Sequence, residues 1–276
     1  MPRGTRMLDT VAALTPDQVR TYRDDGLVIP DFRLPDAVLG RLREALERLI
    51  ADNPNVRPEM LISAHIREGV GEKTRGQDAF LEFAHYPPIV DMVEQLIGPD
   101  IILWGCQVFC KPPKTGMEVP WHQDGRYWPI RPLATCTAWV ALDDSRPENG
   151  CMRYVPGSHR HGHTFRHRND TRPDLALDLV VEDGEVDLDA ARDVELAAGR
   201  LSLHDVYLVH GSNPNRSGKR RAGVAIRYMP ATSLYDRALF KPRETDAGLA
   251  VDFTHRPLWL VRGADRAGNT KLTRLS

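Results

Sequence analysis

The chain has 276 residues, a formal net charge of −1, 27% charged and 41% apolar residues. That is the balance of a globular chain with room for one large domain or two small ones. It carries no basic excess to hold nucleic acid, no apolar run long enough to span a membrane, and no signal-peptide core behind the charged start Met1-Pro2-Arg3.

Four cysteines, Cys106, Cys110, Cys136 and Cys151, lack CxxC spacing and sit in apolar surroundings. They read as reduced, buried thiols of a cytoplasmic protein, not as a disulfide frame or a zinc site. Thr15-Pro16-Asp17-Gln18 opens a helix with a capping box, and Gly26 ends it. Leu27–Pro30 is a short strand. After Leu34-Pro35-Asp36, the residues Val38, Leu39, Leu42, Ala45, Leu46, Leu49 and Ile50 form one apolar helical stripe. Asn53–Gln77, with three glycines and no periodicity, reads as a mobile connection, and His65 within it is a candidate substrate contact. Short helices follow at Ala79–His85 and Pro88–Ile97, stopped by Gly98-Pro99.

From Ile101 the period changes from helical to two. Ile101–Lys111, Ala134–Asp143, Arg153–Val155, Arg200–Leu203, Val206–Val209 and Ala222–Met229 read as strands with turn clusters between them. The acidic stretch Asp170–Glu195 reads as a solvated surface excursion. Pro257–Val261 reads as a last strand or packing segment. Helices first and many short strands after them predict an α+β, mainly β chain: a double-sheet core from about 99 to 230, helices from about 14 to 98 on one side, and a tail over 231–276. With no internal repeat and no linker, residues 1–276 are read as a single domain.

The chemistry centres on Val119-Pro120-Trp121-His122-Gln123-Asp124-Gly125. On a strand, residues i and i+2 share a face, so His122 and Asp124 can offer an imidazole nitrogen and a carboxylate to one point. His210 is the best third ligand, giving two histidines and one carboxylate on one face of a metal. Arg221, eleven residues later at the start of the next strand, is expected beside His210. A guanidinium there suits the far carboxylate of a chelating keto acid.

His122-Gln123-Asp124, the run Pro147-Glu148-Asn149-Gly150-Cys151-Met152-Arg153-Tyr154-Val155-Pro156-Gly157-Ser158-His159, and His210-Gly211-Ser212-Asn213-Pro214-Asn215-Arg216-Ser217 resemble the phytanoyl-CoA dioxygenase family of Fe(II)- and 2-oxoglutarate-dependent oxygenases. The resemblance runs from about Leu14 to Pro230. It implies a double-stranded β-helix (jelly-roll) core, iron on His122, Asp124 and His210, and Arg221 on the 2-oxoglutarate C5 carboxylate. It further implies contacts to that cosubstrate from Gln107, Trp139 and Ser212, and more weakly from Lys111. Family members that halogenate lack the metal carboxylate, so Asp124 favours hydroxylation or a related C–H oxidation, with 2-oxoglutarate and O2 converted to succinate and CO2.

Tyr127, Trp128 and Arg131 follow the metal motif and are read as lining the substrate mouth. Arg227 has the parity to face inward with Arg221 and to pair with an anionic substrate group. The histidines His159, His161, His163 and His167 read as a solvated loop, and His204 as an ordinary strand or turn position. Two other readings stay open: a cupin-like metal enzyme that does not use 2-oxoglutarate, and a non-catalytic jelly-roll binding protein. The motifs name neither the small-molecule substrate nor the oligomeric state.

Overall fold

The structure, a computed structural model, describes residues 12–67, 74–126, 128–244 and 250–275. Four helices come first: α1 (Pro16–Asp25), α2 (Asp36–Asp52), α3 (Asp78–Phe83) and α4 (Pro87–Ile97). Their ends follow from local chemistry. The Thr15 hydroxyl accepts from the Gln18 amide, the Gln18 side chain accepts from the Thr15 amide, and Gly26 closes α1 at φ 81°. α2 buries Val38, Leu39, Leu42, Ala45, Leu46 and Leu49, the stripe expected from sequence.

The main strands are β1 (Leu27–Val28), β2 (Leu61–Ile62), β3 (Ile101–Lys111), β4 (Val119–His122), β5 (Cys136–Ala141), β6 (Met152–Tyr154), β7 (Arg192–Val194), β8 (Leu201–Asp205), β9 (His210–Ser212), β10 (Arg221–Pro230), β11 (Leu258–Arg262) and β12 (Leu272–Thr273). The larger, eight-stranded sheet runs β1-β8-β5-β10-β3-β11-β12, with β2 also on β3. The smaller sheet runs β7-β6-β9-β4. This is the double-sheet jelly roll that the sequence implies, and it is mainly β.

Strand parity assigns the two faces of the large sheet. Along β10, Ala222, Val224, Ile226 and Tyr228 pack into one apolar cluster with Leu39, Leu46, Phe80 and Ile89 of the helices. The alternate residues Arg221, Ala225 and Arg227 face a cavity on the other side. The helices therefore cover the sheet's back, and its inner face is left to carry polar chemistry.

Several boundaries differ from the sequence reading. Val206–Val209 is not a strand; a turn follows β8, and the strand begins at His210. Apolar content there reflects burial of Val206, Leu208 and Val209, which a strand and a buried turn share. The acidic stretch is not all excursion, since Arg192–Val194 forms the edge strand β7 on β6. In the stretch read as a mobile connection, Leu61–Ile62 pairs with β3, and Asn53 ties α2 to Arg75 by bonds from its side-chain amide to Leu49 O (2.7 Å) and Arg75 O (2.9 Å). Residues 68–73 of that stretch lie outside the described residues. The tail contributes β11, which pairs with β3, as one of the two sequence readings had it.

Candidate metal centre and its cavity

His122 ends β4 and lies directly opposite His210, the first residue of β9. The two imidazole centroids are 4.3 Å apart. Asp124 is not on the strand, as the His-x-Asp argument had it. It opens a 3-10 turn, Asp124–Arg126, that turns the carboxylate back toward the imidazoles. Ligand atoms of His122, Asp124 and His210 all lie within 4.8 Å of one another, and all three residues are buried. Among the described residues no other His, Cys, Asp or Glu group forms such a cluster.

Backbone carbonyls fix both imidazoles. His122 Nδ1 lies 2.8 Å from Pro120 O, and His210 Nδ1 lies 3.0 Å from Leu208 O. A carbonyl only accepts, so each Nδ1 carries the proton and each Nε2 presents a lone pair. Burial holds His210 neutral, with its pKa well below the usual imidazole value, and the neighbouring His122 adds to that. Burial pushes the Asp124 carboxyl up, but His122, His204, Arg227 and His210 together outweigh it and hold the pKa well below the usual carboxylate range.

Gln123, between the two ligands, is fully buried. Its amide donates to Tyr207 O at 2.7 Å and to His163 O at 3.2 Å, and its oxygen accepts from the Phe165 amide at 2.6 Å. It thus pins the ligand turn to the segments on both sides, a role the sequence reading missed.

The cavity beside the triad is walled by residues of both sheets, among them Phe109, Val119, Trp139, Met152, Ser212 and Arg221. Arg221 does not sit on a strand beside His210, as expected. It pairs with Lys111 of β3 on the large sheet and faces His210's sheet across the cavity. Parity gave its inward direction, but the eleven-residue link crosses between sheets instead of making a hairpin.

A family model described as phytanoyl-CoA dioxygenase (PhyH) matches residues 22–223 of this chain. The chain belongs to the phytanoyl-CoA dioxygenase family. It is by that membership an oxidoreductase. A phytanoyl-CoA dioxygenase domain-containing protein 1 homolog from Dictyostelium discoideum is 28% identical over 258 residues, covering 78% of this chain and 91% of that one. The apo non-heme monooxygenase ThoJ matches with TM-score 0.70 and 26% identity, over 94% of this chain and 88% of that chain. The epimerase SnoN, solved in complex with Fe3+, alpha ketoglutarate and nogalamycin RO, matches with TM-score 0.63 and 25% identity, over 79% of this chain and 84% of that chain.

In this phytanoyl-CoA dioxygenase relative, a cationic end of the cavity lies around Arg221, which is only 2% exposed. Its Nε and Nη2 donate to Gly150 O at 3.0 and 2.7 Å, and Nη2 also reaches Ser212 Oγ at 3.3 Å. Its guanidinium lies 5.4 Å from the Trp139 ring centroid. Burial lowers its pKa to about 10, which leaves it charged at neutral pH. Lys111, read from sequence as a strand-end lysine, is 1% exposed. Its ammonium donates to Ser212 Oγ at 2.6 Å and to Asn213 O at 2.5 Å. Burial, and then Arg221, depress its pKa well below the usual value.

His204 was set aside at the sequence level, yet it lines the cavity. It pairs with Thr137 of β5, its ring is 4.9 Å from that of His210, and its Nε2 is 3.8 Å from an Asp124 oxygen. Neither ring nitrogen has a hydrogen-bond partner among the described residues. Its inward parity on β8 was the signal available.

Trp139, Ser212 and Arg227 also reach the cavity wall; of the described residues, Gln107, Trp128 and His65 stand off it. Gln107 accepts from Arg227 Nη1 at 3.1 Å. Trp128 is buried against Trp104 instead of lining a mouth, with ring centroids 4.5 Å apart. His65 is 2% exposed and packs on Trp259 at 5.0 Å, with its pKa well below the usual value through burial and then Arg256. Tyr127 lies outside the described residues. The four cysteines are free and buried, as expected. His159 is not simply solvated, since its Nε2 lies 3.0 Å from Arg23 O.

Proposed function

We propose that the chain is one Fe(II)- and 2-oxoglutarate-dependent dioxygenase domain that oxidises a C–H bond of a small molecule. The observation that carries this is the convergence of two Nε2 lone pairs and one ionised carboxylate in a buried cavity with a cationic end. Imidazole and carboxylate are a donor set that suits Fe(II), and three protein ligands on one face leave positions for a chelating keto acid and O2. Bound there, iron would supply the redox chemistry that couples decarboxylation of 2-oxoglutarate to substrate oxidation.

The chain's own residues would do the rest. Pro120 O and Leu208 O orient the imidazoles. Arg221 and Ser212, with Lys111 behind them, would hold the far carboxylate of 2-oxoglutarate against the face of Trp139. Phe109, Val119 and Met152 keep water from the reacting groups. Asp124 fills the ligand place that a chloride-transferring relative would leave free, which favours hydroxylation.

The test is an anaerobic titration of purified protein with Fe(II) and then 2-oxoglutarate. A weak visible charge-transfer band is expected, with succinate release in air once a substrate is supplied. Asp124→Ala should keep the fold and lose iron. Bound iron without a 2-oxoglutarate-dependent band would instead favour the metal enzyme that does not use it.

A further inference from the structure

Arg227 is a second buried cation on the cavity wall, six residues along β10 from Arg221 and so about 20 Å from it in an extended strand. It is 8% exposed. Nη1 donates to Gln107, but Nε is buried with no hydrogen-bond partner. Among the described residues no carboxylate forms an ion pair with it, whereas Arg166, Arg220 and Arg262 each pair with one.

Its surroundings are aromatic and cationic. The guanidinium stands 5.2 Å from the Trp128 ring centroid and 5.9 Å from that of Trp104. Arg256 lies on the same Trp104 ring at 5.6 Å. Gly105 makes room for both: a Cβ there would meet Arg256 Nη1 at 3.1 Å and Arg227 Cδ at 3.7 Å. Arg256 Nη2 also donates to Ser63 Oγ at 2.7 Å. A guanidinium out of water loses hydration, and for Arg227 one amide oxygen and two ring faces offset only part of that. If packing were the sole purpose, an apolar side chain would fill this space at less cost.

Asp124 is the carboxylate nearest in effect to Arg227, and it belongs to the metal triad. A divalent ion there would be balanced by Asp124 and by the carboxylate that 2-oxoglutarate would place on the metal, which leaves Arg227 without a counter-charge. The far carboxylate of 2-oxoglutarate would have Arg221 at the other end of the cavity. The counter-charge left for Arg227 is one that comes with the molecule being oxidised. We propose that Arg227 anchors an oxyanion of the primary substrate, in the first place a carboxylate, and so makes this oxygenase selective for anionic small molecules. This rests on the function proposed above.

The experiment uses protein loaded with Ni(II), which is redox-inert here, and saturated with 2-oxoglutarate. Isothermal titration follows a panel of small carboxylates, each beside its primary amide, with phenylphosphonate and methylphosphonate as a separate arm. Wild type should bind several carboxylates at least tenfold more tightly than their amides. Arg227→Met should abolish that preference while its 2-oxoglutarate affinity stays within twofold of wild type; Arg227→Lys, which keeps the charge, should retain most of it. Tighter binding of phosphonates than of carboxylates would keep the oxyanion and change its kind. Equal binding of acids and amides by wild type, no binding of either, or an unchanged preference in Arg227→Met overturns the proposal. So does a large loss of 2-oxoglutarate affinity in Arg227→Met, which would place Arg227 in the cosubstrate site. Should Arg227→Met fail to fold, the wild-type panel and Arg227→Lys decide. Failure of wild type to bind 2-oxoglutarate, read before any probe is added, would strike the proposed function first and this inference with it.

Discussion

Replacing Arg221 by Met isolates the cationic end of the cavity. Met keeps an unbranched stem to lie over Trp139 and removes the charge and the planar donors. In the protein alone, Gly150 O loses the two donors it receives at 3.0 and 2.7 Å. Leaving that buried carbonyl unsatisfied should cost about 1–3 kcal/mol of stability, a loss a folded domain can bear. In the complex, the C5 carboxylate of 2-oxoglutarate loses a charge-assisted partner in a site shielded from water. Truncating one side of such a pair costs about 2–5 kcal/mol, or roughly 30- to 4,000-fold in Kd. Lys111 and Ser212 remain as hydrogen-bond donors at that end, so the lower part of that range is expected. The assay is an anaerobic titration of Fe(II)-loaded protein with 2-oxoglutarate, with circular dichroism to show that the fold is kept. Arg221→Lys should recover part of the affinity, since it restores charge without the fork. A folded Arg221→Met protein that binds 2-oxoglutarate within threefold of wild type would refute the assignment.

Gly223 lies under Trp139, and a Cβ there would meet the indole Cζ2 at 2.2 Å. Gly223→Ala should therefore destabilise by about 1–3 kcal/mol and weaken 2-oxoglutarate binding by displacing the ring, both measurable by denaturant titration and ligand titration. His204 Nε2 is 3.8 Å from an Asp124 oxygen and not hydrogen-bonded to it, so His204→Gln should lower iron affinity by less than the roughly tenfold that loss of a hydrogen-bonded partner costs; affinity equal to wild type in a metal competition assay would deny it that part. Burial raises the thiols of Cys106, Cys110 and Cys136 to about 12 and that of Cys151 to about 11. At pH 8 their thiolate fraction is then about one in a thousand or less, so native protein should resist a thiol-disulfide reagent that titrates all four after unfolding. Fast native labelling would contradict their burial. His65 and His210 are held neutral, below the unfolded value of about 6.5. The unfolded chain thus takes up more protons than the folded one as the solution is acidified. Stability should be full above about pH 6.5 and decline as pH falls below it, and His65→Leu should flatten that decline in urea titrations.

The helices, the long strands and the three residues of the candidate metal cluster were legible in the chain. The capping box of α1, the stripe of α2 and the alternation along β3 and β10 are local patterns, fixed by backbone sterics and the need to bury apolar side chains. Parity on β10 likewise gave the inward direction of both Arg221 and Arg227. What it does not carry is which sheet a strand joins. Arg221 was placed beside His210 because eleven residues can make a hairpin, and only the pairing of β10 with β3 and β5 sets it across the cavity instead. Asp124 reached the triad through a 3-10 turn and not through strand parity, since the geometry of that turn depends on contacts Gln123 makes with residues about 40 and 84 positions away. Lys111 was ranked low and His204 set aside for the same reason. A lysine at a strand end and a histidine before a turn look like surface residues until a second sheet is laid over them. Local sequence determined the elements and their faces; burial, charge pairing and the meeting of His122 and Asp124 with the distant His210 arise from long-range pairing, and tertiary structure decided those.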